Sequence, residues 1–230
     1  MAVSIDTVYQ RVLAIANKEQ RGYITPQEFN LFANQAQMDI FEQYFYDFNQ
    51  FGRISGNDTS HADMLSILEE KISIFERTGE NVANGTDLPQ VEGRELYRLQ
   101  IVRWNGKEAE YVNQKDYLNI YTTPLGKPTD GRPIYVRNYN GIAVFGKDQK
   151  RTGVKCNYLK KPSKAVWGYV IVGENALYEE SSSDNFELHV SEENNLVMKI
   201  LALAGIAIKD ATVYQAASTE ETKSIQQQKQ

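Results

Sequence analysis

The stretch NKEQRGYITPQE, Asn17 to Glu28, carries the residue types of a calcium-binding loop: Asn17 and Glu19 at the first ligand positions, Gly22 at the sharp turn, Thr25 late in the loop and Glu28 as the closing carboxylate. Arg21 stands where such a loop needs an oxygen ligand. It removes a ligand and sets a cation beside an ion that only Glu19 and Glu28 could neutralise. The same letters read better as a boundary between helices. Gly22 tolerates the positive φ that ends a helix, Thr25 is an N-cap, and Pro26 sits at a first helical position that has no use for an amide. Glu28 can then reach back to the Thr25 amide as a capping box. The sequence predicts a helical corner and no calcium site.

The other reactive side chains do not converge on a reaction. His61 and His189 have no nearby Asp, Ser or Cys in a triad or metal spacing; His61 reads as a first-turn helix residue and His189 as a residue near a strand end. Cys156 stands alone in a lysine-rich strand, with no general base beside it. Phosphate-cradling glycine motifs are missing. The acidic pairs Glu69-Glu70, Glu179-Glu180 and Glu192-Glu193 are adjacent in sequence, so their side chains diverge on a helix or strand and read as solvated or helix-start charges. The expectation is a protein that is not an enzyme and holds no cofactor or metal.

One charge pattern stands out. Lys147, Lys150, Arg151, Lys155, Lys160, Lys161 and Lys164 form a basic block, followed by an acidic block of Glu174, Glu179, Glu180, Asp184, Glu187, Glu192 and Glu193. The blocks either neutralise each other within one subunit as solvated arms, or bring the basic face of one copy to the acidic face of the next. Lys160, Lys161, Glu179 and Glu180 are the interface candidates on the second reading.

Composition narrows the class. The chain has 230 residues, a hydrophobic fraction of 41% and a net charge of −5, which gives a globular fold without the overall basic footprint of a nucleic-acid binder. A single cysteine permits no internal disulfide and fits synthesis in a reducing compartment. MAVSIDTVYQ lacks a basic leader with an apolar run, and no uninterrupted apolar stretch of about 18 residues occurs, so neither a signal peptide nor a membrane span is expected.

Positioning falls to three segments: a helical layer over 1–80, an antiparallel β-region with a short helix over 81–190, and a C-terminal helix with an extended tail over 191–230. The fold class is therefore α+β. Ile5, Val8, Tyr9, Val12, Ile15 and Ala16 share one helical face. Phe29, Phe32, Ala33, Ala36, Ile40, Tyr44 and Phe48 form a second, with Met38, Phe41 and Phe45 outside it, so this helix must be covered by more than one neighbour; Phe41 and Phe45 are interface candidates on that ground. A third helix continues through Phe75 to about Arg77 and stops at Gly79. NVANGTDLP marks a boundary. RLQIVRW and KEAEYV read as a hairpin about Asn105-Gly106, QKDYLNIY as a short helix, and IYVRNYNGIAVFG as a hairpin about Asn140-Gly141; VKCNYLKK and VWGYVIV complete the strands. EENNLVMKILALAGIAI is the last helix, with Leu196, Ile200, Leu203 and Ala204 on one face. Beyond Asp210 the chain is too polar to build a core, and Val213, Tyr214 and Ile225 are its possible anchors in a partner's groove.

The runs IDTVYQRVLAIANKEQRGYITPQEFNLFANQAQMDIFEQYFYDFNQF and NNLVMKILALAGIAIKDATVYQ, with the Gln-rich end, resemble virion structural proteins of short-tailed bacteriophages, nearest to the neck or head-to-tail connector ring proteins of crAss-like phages and marine podoviruses. The resemblance covers the two helical ends and carries no catalytic residue with it. It implies a virion location in the neck and a homo-oligomeric ring, a dodecamer in similar adaptors. It further implies contact with the portal protein and other neck or tail rings, proximity to packaged DNA without sequence recognition, and a C-terminal segment that reaches a neighbour. Another tail or baseplate component and a non-virion binding domain are the alternatives. The 14 tyrosines suit protein interfaces, where a tyrosine supplies contact area at small entropic cost.

Overall fold

The capping chemistry at Thr25 sets the entry into the longest helix. The Thr25 amide and hydroxyl donate to Glu28 Oε2 at 3.0 and 2.8 Å, and the Glu28 amide donates back to Thr25 Oγ1 at 3.3 Å. This is the reciprocal box expected from the sequence. Accepting from the Thr25 amide, and then from its hydroxyl, holds the Glu28 carboxyl below the usual carboxylate range. That contribution is present above the unfolded Glu pKa of about 4.3 and is lost as pH falls through the lower folded value. Thr25→Ala is expected to cost about 1 kcal/mol, read as a lower urea midpoint at unchanged m.

The computed structural model describes residues 2–18, 24–53, 59–79, 96–138, 141–150, 152–173 and 175–207. Most of the calcium-loop letters, including Glu19, Arg21 and Gly22, lie outside them, as do the boundary stretch 81–89, Asn140, and the tail with Val213, Tyr214 and Ile225. The chain is α+β and forms two compact units: Met1–Ile74 with Pro162–Gln230, and Phe75–Lys161. The boundaries differ from the three sequential segments expected. The chain leaves the helical unit at Phe75 and re-enters it at Pro162, so residues 162–190 belong with the helices.

In the helical unit, β1 (Ala2–Val3) precedes α1 (Ile5–Lys18), α2 (Pro26–Arg53) and α3 (Thr59–Ser73), and α5 (Glu193–Ala207) closes the chain's described part. Ile5, Val8, Tyr9 and Val12 are buried as their spacing predicts, whereas Ile15 is exposed, so the buried face of α1 ends a turn early. Helix α2 buries Phe29, Ala33, Ala36, Ile40 and Tyr44 on the expected stripe, and Gln37 and Phe41 beside it. Several neighbours cover it: α3, α5 and β12 (Phe186–His189), which also pairs antiparallel with β1. Phe48 is exposed near the far end. Helix α5 buries Leu196, Val197, Ile200, Leu201 and Ala204.

The second unit holds two four-stranded sheets. In one, β2 (Glu76–Gly79), β9 (Val154–Lys160), β3 (Leu96–Trp104) and β4 (Lys107–Glu108) lie side by side; in the other, β5 (Glu110–Tyr111), β6 (Ile134–Asn138), β7 (Gly141–Phe145) and β8 (Gln149–Lys150). Both sheets feed one core that includes Val102, Ala109, Ile142, Val144, Val154 and Cys156. Asn105 and Gly106 turn the β3–β4 hairpin at φ 47° and 80°, the pair of positive values that the Asn-Gly signal anticipates.

Three expectations are corrected by the fold. The third helix does not run to Arg77: Glu76–Gly79 is a strand paired with Cys156–Leu159, because the apolar stripe of α3 ends at Ile72 and the free edge of β9 takes the following backbone. KEAEYV is not one strand. It divides between the two sheets, and β5 pairs parallel to β6, against an all-antiparallel expectation. VWGYVIV is shortened to β10 (Tyr169–Val172), which pairs with β11 (Asn175–Tyr178), a strand hidden in the acidic block. The short helix α4 (Gln114–Thr122) is present where expected.

Candidate functional site

Three carboxamides on α2, Asn30, Asn34 and Gln37, hold the returning chain. Asn30 Oδ1 accepts from the Trp167 amide at 2.8 Å while its Nδ2 donates to the Trp167 carbonyl at 3.3 Å. Asn34 repeats the pattern at Ala165, with distances of 3.0 and 2.8 Å. Gln37 Nε2 donates to the Ser163 carbonyl at 2.7 Å, and its Oε1 accepts from the Glu187 amide at 3.2 Å. A side-chain amide offers the donor and acceptor of a peptide group, so the helix presents a false strand edge. From Asn30 to Asn34 the match is metric: four helical residues rise about 6 Å and two extended residues about 6.6 Å.

Trp167, buried at the end of this ladder, anchors the hairpin that comes after it. Its Nε1 donates to Asp6 Oδ1 at 3.0 Å, and its ring lies 4.0 Å from that of Tyr9, which in turn meets Phe29 edge-on at 4.7 Å. On the outer side Tyr169 and Tyr178 each pack with their centroids 5.8 Å from Trp167. Gly168 between them is obligatory: a Cβ there would lie 2.1 Å from Ser182 Oγ and 2.7 Å from the Ser182 backbone. The Gly168 amide donates to Ser183 Oγ, its carbonyl accepts from the Glu179 amide, and Ser183 Oγ donates to the Glu179 carbonyl at 2.6 Å.

From this fixed base rises the β10–β11 hairpin, four residue pairs from Tyr169–Tyr178 to Val172–Asn175 without a bulge, with Gly173 at φ 68° opening its tip. Ile171 is 67% exposed, Val172 58% and Leu177 53%, with Val170 and Tyr178 also exposed. Alternation puts Val170, Val172 and Leu177 on one face and Ile171 with the tyrosines on the other. An isolated two-stranded ribbon with apolar side chains on both faces is marginal in water. Here the aromatic base and the hydrogen bonds around Gly168 keep it in shape, and its far half is a presented apolar arm.

The expected interface residues are dispersed. Phe41 is fully buried and meets the half-buried Phe45 edge-on at 5.0 Å, so Phe41 serves the core of the helical unit and is no surface candidate. Lys160 retains 4% exposure, its amide bonded to the Phe75 carbonyl at 3.0 Å, and it too is removed from the interface set. Lys161 ends the second unit. Glu179 and Glu180 stand at the hairpin base, Glu179 Oε2 accepting from Ser182 Oγ at 2.9 Å.

The two charge blocks divide between the units, Lys147 to Lys161 in the second and Lys164 with the acidic block in the helical one, and several of their members have partners within their own unit. Lys150 is paired with Asp130 at 2.8 Å and lies over the Trp104 ring, and its hydrogen bond to Asp130, with that from the Lys147 amide, holds the Asp130 carboxyl below the usual range. Glu187 accepts from the Ser163 amide, Glu193 is paired with Arg11, and Glu192 is buried against Lys71. Glu192 is therefore no solvated charge, whereas Glu193 does occupy the first turn of α5, as a paired acid. Lys164, Glu180 and Asp184 stay exposed in the helical unit.

Glu192 belongs to a sealed polar cluster. Its Oε1 meets Lys71 Nζ at 2.6 Å and its Oε2 accepts from Asn195 Nδ2 at 2.6 Å. The Tyr44 hydroxyl is buried beside Glu192, outside good hydrogen-bond geometry but near enough to feel it: burial first, then the Glu192 charge and a hydrogen bond toward that carboxylate, push the Tyr44 pKa upward. This is a packed junction of α2, α3 and α5. His189 Nδ1 accepts from the Ser191 amide at 3.3 Å, a cap at the start of a short turn, and Cys156 is buried with its thiol pushed up to about 11 by burial. Among the described residues no cluster of His, Cys, Asp and Glu could hold a metal, and no helix is long and apolar enough to cross a membrane. The chain matches no family model and no curated protein.

Proposed function

We propose that this chain is a structural subunit of a bacteriophage neck, a head-to-tail connector that assembles as a homo-oligomeric ring, joins the portal to the tail and surrounds the DNA channel. The observation that carries the reading is the β10–β11 arm: a rigidly based, doubly apolar ribbon whose far half is exposed. Such a surface is suited to burial in an assembly. The resemblance of the two helical ends to neck ring proteins supplies the setting, and a dodecamer is the ring size it suggests. In this setting the C-terminal segment with Val213, Tyr214 and Ile225 reaches the portal or an adjacent ring.

The test is to locate the chain in purified virions by low-resolution imaging of a tagged copy. A ring of tag density between portal and tail is the expected result. A tag at the tail tip or baseplate would replace the connector reading with that of another tail component, and a chain missing from purified particles would reject a virion role.

A further inference from the structure

We propose that the arm is the joint between copies: β11 of one subunit pairs edge to edge with β10 of the next, so that each copy adds two strands to one continuous antiparallel sheet. This rests on the ring reading and names the partner of its exposed arm as a second copy of this chain. Three observations carry it.

The first is the unguarded edge. β10 and β11 pair only with each other among the described residues, so each leaves an outer row of backbone N–H and C=O groups. Monomeric proteins blunt such edges with lysine, proline or a bulge. Between Tyr169 and Tyr178 there is no Lys, Arg or Pro, and the register is unbroken. The second is strand order. An up-down hairpin repeated head to tail places a descending β11 beside an ascending β10, the antiparallel relation already present inside the hairpin. The intermolecular ladder can therefore repeat the pairs Val170–Leu177 and Ile171–Ala176 that this sequence already accepts within one copy.

Charge is the third. The segment leading into β10 carries exposed Lys164, and the segment leaving β11 carries exposed Glu180 and Asp184. Head-to-tail order keeps all bases at the same end of the sheet, so the acidic side of one base stands beside the basic side of the next. A two-fold pairing of β10 with β10, or β11 with β11, turns the bases to opposite ends and loses that match. The contact is heterologous, the type that closes into a ring.

Two variants, Val170→Cys and Leu177→Cys, are prepared separately, one carrying a size tag, then mixed and oxidised mildly; directly opposed positions bring the Cβ atoms within disulfide range. Unsubstituted protein is the blank, since Cys156 is buried. The mixed disulfide should exceed either homodimer several-fold on a non-reducing gel. Sedimentation of the same samples separates the possible failures. Homodimers in excess overturn the head-to-tail joint. Rings without cross-links overturn the arm as the joint and leave the connector reading standing. Monomers at every concentration overturn both.

Discussion

Trp167→Ala is expected to destabilise the helical unit by about 4 kcal/mol, the middle of the range for removing a buried aromatic side chain. The ring is in contact on both sides: Tyr9 at 4.0 Å on the inner side, and Tyr169 and Tyr178 at 5.8 Å on the outer side. Alanine leaves a cavity that the Asn30–Asn34 ladder cannot close, because that ladder holds the backbone at Ala165 and Trp167 in place. It also strands the Asp6 oxygen that accepts the indole proton. Trp167→Phe separates these effects: it keeps most of the packing and loses the Asp6 bond, for a cost of about 1 kcal/mol. Urea unfolding followed by circular dichroism measures both. If Trp167→Ala cost no more than Trp167→Phe, the base would not depend on the packed ring. The arm should lose its shape in the alanine variant before the helices melt, because a two-stranded ribbon detached from its anchor has little stability of its own.

The helices are legible in the sequence for a local reason. Caps and the three-to-four-residue apolar period act within a few residues, and Thr25, Glu28, Phe29, Ala33 and Ile40 each declare their role without knowledge of the rest of the chain. The Asn-Gly hairpin at Asn105 is local in the same way. The hidden features depend on distant partners. Asn30, Asn34 and Gln37 look like ordinary polar helix residues until the chain at 163–167 lies against them. The signal that could expose them is their spacing: carboxamides at i, i+4 and i+7 share a face beside a buried stripe, where solvent alone does not explain them. Strand β2 resembles the end of a helix because ERTG has no strong period, and its state is set by the open edge of β9 more than seventy residues later.

Charge is the least legible property. A run of like charges says how many ions a segment carries but not where each one points. Lys150 finds Asp130, Glu193 finds Arg11, and Lys160 is buried, so a run of like charges overstates what each segment exposes. The arm itself is half visible. VWGYVIV announces a strand, but its partner NALY lies inside the acidic block, where the surrounding carboxylates mask it. Pairing the two makes the stretch an apolar hairpin with acidic flanks, with Glu179 and Glu180 at its base, whereas Lys160 is buried.

Lys71→Ala is expected to cost about 3 to 5 kcal/mol, the range for breaking a buried ion pair by removing one partner. The size comes from the geometry of what is left. Glu192 is 2% exposed; without the ammonium at 2.6 Å its carboxylate keeps neutral neighbours, the Asn195 amide and the nearby Tyr44 hydroxyl, and no positive charge to balance it. Lys71 also lies over the Tyr44 ring at 5.7 Å, a contact that alanine cannot replace. The penalty belongs to the stranded charge, so removing the charge should remove most of it. Lys71→Met with Glu192→Gln keeps an acceptor for Asn195, refills the space of the lysine stem and should recover most of the stability lost by Lys71→Ala. Urea denaturation of the unsubstituted protein, the single and the double variant at neutral pH reads both the loss and the recovery. A double variant no more stable than Lys71→Ala would show that the lysine acts through packing on Tyr44 and not through its charge.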